Sequence, residues 1–293
     1  MGQTALRTSI KHLISLLACW CLLMTPLESS ISASSQRIAE LEKQVGYYVY
    51  SGGPSALGHS FGRTFNGTNQ SLSSSTALSF PGCPGSCSTN QWTFAFWLDQ
   101  LSVPGGSGGM IAESTTNAFS SGQTGAFFIL YNSVDFPGNV EVFVNIGGGF
   151  DISFADPSTT VWHDYVISVG TGPAVSVYID GSSVSVTIHG TPTNATLSNQ
   201  TAYLMARANS TLWENARFSE FAIYKTNLSS TDASNLWNGG AGRLASSVQG
   251  SSLVSYTHLC GTASPEPDQI GAWTWGLTGT PSQVAGPGVL NCP

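Results

Sequence analysis

Residues 162–181 constrain the fold more than any other stretch. They read Trp-His-Asp-Tyr-Val-Ile-Ser-Val-Gly-Thr-Gly-Pro-Ala-Val-Ser-Val-Tyr-Ile-Asp-Gly, two alternating runs around a Gly/Pro turn. In the first run Trp162, Asp164, Val166 and Ser168 alternate with His163, Tyr165, Ile167 and Val169. In the second, Val175, Val177 and Ile179 alternate with Ser176, Tyr178 and Asp180. A period of two is the side-chain repeat of a strand, so one face of each run is expected on a core and the other in water. Asp180-Gly181 is a tight-turn signal, and Val184–Ile188 resumes the alternation. The pattern predicts an antiparallel meander, the unit of an all-β fold.

Composition agrees. The chain has 293 residues, 41% hydrophobic, only 9% charged, with 33 glycines. That is enough length for one large β domain with appendages, and the low charge with many Gly, Ser and Thr predicts short strands and turns. The net charge of −7 and pI near 5.0 leave no basic stripe, which argues against nucleic acid and against anionic membranes as partners.

The segment 1–33 reads as a secretory signal peptide: Arg7 and Lys11 lead an apolar run, Leu13–Met24, which Pro26 breaks before the small residues Ser30–Ala33. The run is shorter than the roughly 20 apolar residues of a membrane span, so no membrane insertion is expected after cleavage and the mature chain is expected outside the cell. Residues 34–45 form a helical linker, with Ile38, Leu41 and Val45 on one stripe; its rival reading is a coiled-coil stub that would make a homo-oligomer. Of six cysteines, Cys19 and Cys21 leave with the signal. The remaining four, Cys83, Cys87, Cys260 and Cys292, imply two disulfides with three pairings open, Cys83–Cys87 being the local choice. Zinc is disfavoured, because no histidine lies near Cys83 or Cys87. In a eukaryotic secretory pathway Asn66, Asn69, Asn194, Asn199, Asn209 and Asn227 would be N-glycosylation acceptors.

Four stretches in order carry a resemblance. Phe65-Asn-Gly-Thr-Asn-Gln-Ser-Leu72, Trp92-Thr-Phe-Ala-Phe-Trp-Leu98, the hairpin of Trp162-His163 and Val177-Tyr-Ile-Asp-Gly181, and Phe218-Ser-Glu-Phe-Ala-Ile-Tyr224 with Leu228-Ser229 and Leu236–Gly240 are the four. Together they resemble the laminin-G-like domains of the concanavalin A-like lectin/glucanase superfamily. The resemblance spans residues 46–242 and implies an antiparallel β-sandwich of jelly-roll type, with a short helix over Ser229–Trp237. Residues 243–293 resemble the opening of another such module. They are expected to form an extension packing on the sandwich, as an added strand pinned by Cys260–Cys292, with Trp273 and Trp275 on one face.

The superfamily includes glucanases, so catalysis has to be weighed. Retaining glycosidases need two carboxylates about 5 Å apart, which that branch places as Glu-X-Asp-X-X-Glu on one strand. No such run exists here; Glu113, Glu141, Glu214 and Glu220 are isolated, and there is no Gly-X-Ser-X-Gly elbow. The expectation is therefore no enzyme, and a lectin-like or adhesion module whose partner is a glycan or a glycosylated protein. The alternative is a structural, protein-binding domain of a surface or virion assembly. Trp213, with Asn209 and Glu214 beside it, is the candidate ligand-facing group. The resemblance also allows a Ca²⁺-ordered loop, for which Asp135, Asn139, Asp151 and Asp156 are the candidate oxygen donors.

Overall fold

The computed structural model describes residues 61–78, 91–118, 120, 123–146, 149–157, 159–172, 174–192, 195–260, 263–271 and 273–287, all within the unit Ala56–Pro293. The segments 1–33 and 34–45, the first residues expected in the sandwich, and Cys83, Cys87, Asn194 and Cys292 lie outside the described residues.

Strands in chain order are β1 (Phe61–Thr64), β2 (Ser71–Ser74), β3 (Trp92–Gln100), β4 (Gly109–Ser114), β5 (Phe127–Tyr131), β6 (Asn139–Val144), β7 (Phe150–Ala155), β8 (Trp162–Val169), β9 (Val175–Ile179) and β10 (Ser182–Val184). They continue with β11 (Thr187–His189), β12 (Ala202–Leu204), β13 (Ala216–Tyr224), β14 (Leu253–Thr257), β15 (Glu266–Pro267), β16 (Thr274–Thr278) and β17 (Ser282–Ala285). The first sheet runs β10-β9-β8-β3-β13-β1-β17, with β14 also paired to β13; the second runs β11-β7-β6-β5-β4-β12-β2-β16-β15. The central meander has the expected antiparallel register, Tyr165 facing Ile179 and Val169 facing Val175.

Alternation explains the core. On β3, Trp92, Phe94, Phe96 and Leu98 point between the sheets, as do Tyr165, Ile167 and Val169 on β8. Phe127 and Ile129 of β5, Val140, Val142 and Val144 of β6, and Phe150, Ile152 and Phe154 of β7 meet them from the second sheet. Phe96 stacks on Tyr165 at 5.2 Å. Burying each such side chain contributes roughly 1.5–3 kcal/mol, which makes this layer the main source of stability.

Two expectations are corrected here. The outer face of the meander is not in water. Val166 and Tyr178 join Ala95, Ala222 and Tyr224 in a second cluster, closed by Leu228, Ala233, Leu236 and the segment Ala245–Tyr256. Asp164 is consequently 2% exposed, and the Ser168 hydroxyl donates to the Leu228 carbonyl at 2.9 Å. Trp162 is only partly buried, lying on this outer face with its ring against Gly62. The covering element is helix α1 (Ser230–Trp237), whose N-cap Ser229 forms a capping box with Asp232 and whose C-cap Asn238 is left-handed. The second correction concerns Asn139 and Asp151, read as loop oxygens. They belong to strands β6 and β7, because Phe150, Ile152 and Phe154 form a buried alternation that holds Asp151 in the ladder.

The residues beyond 242 do more than add one strand. They give β14 and β17 to the first sheet and β15 and β16 to the second. Trp275 is buried completely and meets Phe221 edge-on at 5.8 Å. Trp273 is 6% exposed and belongs to the same core. Both tryptophans pack the tail rather than present a platform.

Candidate functional site

At one end of the sandwich three connections meet around a cavity of about 420 Å³: the turn after β1, the β3–β4 loop and the β12–β13 loop. This lies within the usual range of ligand pockets, about 300–1,000 Å³. It is lined by Asn66, Ser102, Ser107, Trp213 and Asn215, with Val103, Pro104 and Leu212 as its apolar members. No ionisable side chain lines it.

Each piece has a local cause. Asn66 accepts from the amides of Thr68 at 3.0 Å and Asn69 at 3.2 Å, making an Asx turn. Gly67 follows at φ +66, and a Cβ there would lie 2.8 Å from the Asn215 Cβ, so the close approach of the two walls needs glycine. The β3–β4 loop is tied from both sides. Asn132 donates to the Pro104 carbonyl at 2.7 Å, and the Asn215 side chain donates to the Ser102 hydroxyl at 2.7 Å. The β12–β13 loop holds Met205, Ala208, Asn209 and Leu212 in the left-handed region. Such residues cost on the order of 1 kcal/mol each and persist only where surroundings impose them. Here the Met110 amide donates to the Leu212 carbonyl at 2.8 Å, and the Glu214 amide to the Met205 carbonyl at 3.0 Å.

Of the three residues expected to face a ligand, only Trp213 lines the cavity. Asn209 is engaged elsewhere: its side-chain Oδ1 accepts from the Ser71 hydroxyl at 2.7 Å. Glu214 is completely buried. Its Oε1 accepts from Gln100 Nε2 at 2.6 Å and from the Asn215 amide at 2.8 Å. Its Oε2 has no hydrogen-bond partner and sits where a Cβ on Gly109 would be. Burial pushes its carboxyl up to about 8. A sequence signal existed for this. Glu214 has the parity of Ala216 and Phe218, both core residues.

The proposed oxygen donors do not all converge, although Asp135 lies near enough to Asp151 to raise its carboxyl. Asp135 is exposed on the β5–β6 loop, Asn139 donates to the Pro137 carbonyl at 3.0 Å, and Asp156 accepts from the Tyr165 hydroxyl at 2.5 Å. Asp151 shares the outer face of the second sheet with Glu141, and burial pushes these carboxyls up to about 6 and about 7. Among the described residues no three His, Cys, Asp or Glu side chains are grouped to hold a metal ion. Cys260 is disulfide-bonded. Of the glycosylation acceptors, Asn66, Asn69 and Asn227 are exposed, whereas Asn199 and Asn209 are partly buried. Asn66, Ser102 and Asn215 escaped notice as site residues because nothing local links them; strand pairing does.

A sandwich of two antiparallel sheets with a polar loop-lined pocket at its rim defines a class. The chain belongs to the concanavalin A-like lectin/glucanases superfamily, whose laminin-G-like family model matches residues 69–234. The fold is shared with a candidate carbohydrate-binding protein from Bacteroides ovatus ATCC 8483, at 12% identity and TM-score 0.56, covering 80% of this chain and 63% of that one. A heptameric SAP-like pentraxin from Limulus polyphemus aligns at 12% identity and TM-score 0.42, covering 61% and 82%. The binding domain of botulinum neurotoxin DC, in complex with rat synaptotagmin II, aligns at 16% identity and TM-score 0.38, covering 51% and 36%. No curated protein matches the chain in sequence.

Proposed function

We propose that this domain is an exported, non-catalytic module that binds neutral carbohydrate in the Trp213 pocket. The observation that carries the reading is the lining of that pocket. An aromatic side chain stands beside two amides and two hydroxyls, with no ionisable group among them. A sugar presents an apolar C–H face and a fringe of hydroxyls, which an indole and amides match in kind. The Bacteroides ovatus neighbour supports the class through its fold and its description. Catalysis is disfavoured because the paired carboxylates of a glycosidase have no counterpart in the pocket. On the second sheet, Glu141 is 4% exposed and so presents no carboxyl to a substrate. Export accords with residues 1–33 acting as a signal and with disulfides at Cys83, Cys87, Cys260 and Cys292, for which Cys83–Cys87 and Cys260–Cys292 are the proposed pairs.

Single-site affinity should be weak, roughly −4 to −8 kcal/mol, so useful avidity needs several copies. The test is a printed array of neutral and acidic oligosaccharides, run with and without a calcium chelator, using the wild type and Trp213→Ala. Neutral glycans bound by the wild type and lost in Trp213→Ala support the reading. Release of reducing sugar or unsaturated product overturns the non-catalytic half. Capture of a protein with no glycan signal replaces it with the protein-binding alternative.

A further inference from the structure

We infer that Glu214 is the positioning residue of this pocket, holding the Ser102 and Asn215 walls together, and that the walls stay joined only while its carboxyl is neutral. The inference deepens the carbohydrate reading, on which its binding arm rests, but its structural arm does not need a ligand.

Glu214 lies under the pocket and contributes nothing to its lining, yet it is the hub of the polar wall. Gln100 Nε2 bridges Glu214 Oε1 at 2.6 Å and the Ser102 carbonyl at 3.0 Å. The same Oε1 accepts from the Asn215 amide, the Asn215 side chain reaches the Ser102 hydroxyl at 2.7 Å, and the Leu101 amide donates to the Asn215 carbonyl at 3.0 Å. One carboxyl thus joins the end of β3, the start of β13 and, through the contact of Oε2 with Gly109, the start of β4. Two of these strands belong to the first sheet and one to the second.

Burial, the largest effect, favours a neutral acid and outweighs the hydrogen bonds from Asn215 and Gln100 to Oε1, which favour the charge. The titratable groups acting on Glu214 are Asp156, from the segment after β7, and Tyr131, at the end of β5. Neither is a cation. Asp99, next to Gln100, is turned to Arg217 at 2.8 Å, and Arg207 to Glu113 at 3.1 Å. A negative Oε2 would therefore be buried and unpaired against Gly109, with the Asp156 charge adding to its cost, an expensive state for a buried group. Relief comes from letting water reach Oε2, which means parting the β3–β4 loop from Asn215. Burial already holds the proton to about pH 8, which sets the window.

Hydrogen exchange of residues 101–108 is followed from pH 6 to 9.5 in wild type and Glu214→Gln, comparing the two at each pH so that the intrinsic rate cancels. Gln keeps the acceptor for Gln100 and Asn215 and cannot ionise. Wild type should match the variant below pH 7 and exchange at least tenfold faster above pH 8.5. Binding to an array of neutral oligosaccharides should fall over the same window in wild type and stay level in Glu214→Gln. Glu214→Ala should bind weakly at every pH. Equal exchange in the two proteins up to pH 9.5, or a parallel decline in Glu214→Gln, overturns the inference. If exchange diverges as expected but no glycan binds at any pH, the positioning role stands and the carbohydrate reading falls.

Discussion

Two buried acids in this molecule are treated in opposite ways. Glu266, at the seam where residues 253–285 join the sandwich, is 1% exposed and bonded to the Arg63 guanidinium at 2.7 Å. Arg63 in turn reaches the carbonyls of Pro281 at 2.7 Å and Ala263 at 2.5 Å. Glu214, at the rim, is equally buried but meets no cation and keeps one oxygen without a partner. The seam matches charge with charge and ties three segments of chain. The rim leaves a carboxyl that must keep its proton. The first arrangement fixes structure; the second makes structure conditional on solution chemistry.

The comparison breaks most visibly at Arg63. Arg63→Ala leaves Glu266 buried without a counter-ion, and removal of one partner of such a pair costs about 3–5 kcal/mol. Urea unfolding should show that loss, and a loss under about 1 kcal/mol would mean that the seam is not an anchor. At the rim the effect should depend on pH. The native state holds the Glu214 proton to about 8, whereas the unfolded chain gives it up near the ordinary glutamate value of 4.5. The unfolded state therefore binds fewer protons across that interval, and stability falls as pH rises from about 4.5 to 8. Glu141 and Asp151, held up to about 7 and about 6, act in the same direction. The free energy of unfolding should drop by about a few kcal/mol over this range, and Glu214→Gln should flatten the upper part. A midpoint rising with pH would contradict it.

Gly67→Ala sharpens the picture at smaller scale. The residue would take a φ of +66 and press its Cβ on Asn215, so a cost of about 1–2 kcal/mol is expected, with pocket binding reduced alongside. Stability unchanged by calorimetry would show that the walls have room to part. Trp213→Ala should be the mildest for folding, within about 1 kcal/mol because the ring is only partly buried, while lowering glycan affinity about tenfold or more, about 1.4 kcal/mol. If stability falls as far as binding, Trp213 is a structural residue.

The sequence carries much of this fold and rather less of its site. Alternation in Trp92–Leu98 and Trp162–Ile179 marks the central strands, because large apolar side chains at period two have one good place to go. The same rule applies to β7, where Phe150, Ile152 and Phe154 alternate with Asp151 and Ser153, and reading Asp151 as a loop oxygen set that alternation aside. Outer burial of Asp164 was hidden for a different reason. The cover comes from α1 and residues 245–256, which are remote in sequence. Trp213 could be picked out as an aromatic in a polar loop. Its companions Asn66, Ser102 and Asn215 could not, since the pairing of β13 with β1 and β3 is what gathers them.

The position of β17 has a consequence in time. Residues 61–64 lie between β13 and the strand formed by 282–285, and residues 71–74 lie between β12 and 274–278. A ribosome makes those partners roughly 200 residues after the strands they pair with. Until then the earliest strands each present an unpaired edge, and Phe221 lacks the indole that packs against it. Closing contacts more than 200 residues apart is slow. The nascent sandwich must therefore wait, with those two edges open, until residues 274–285 are made and close it.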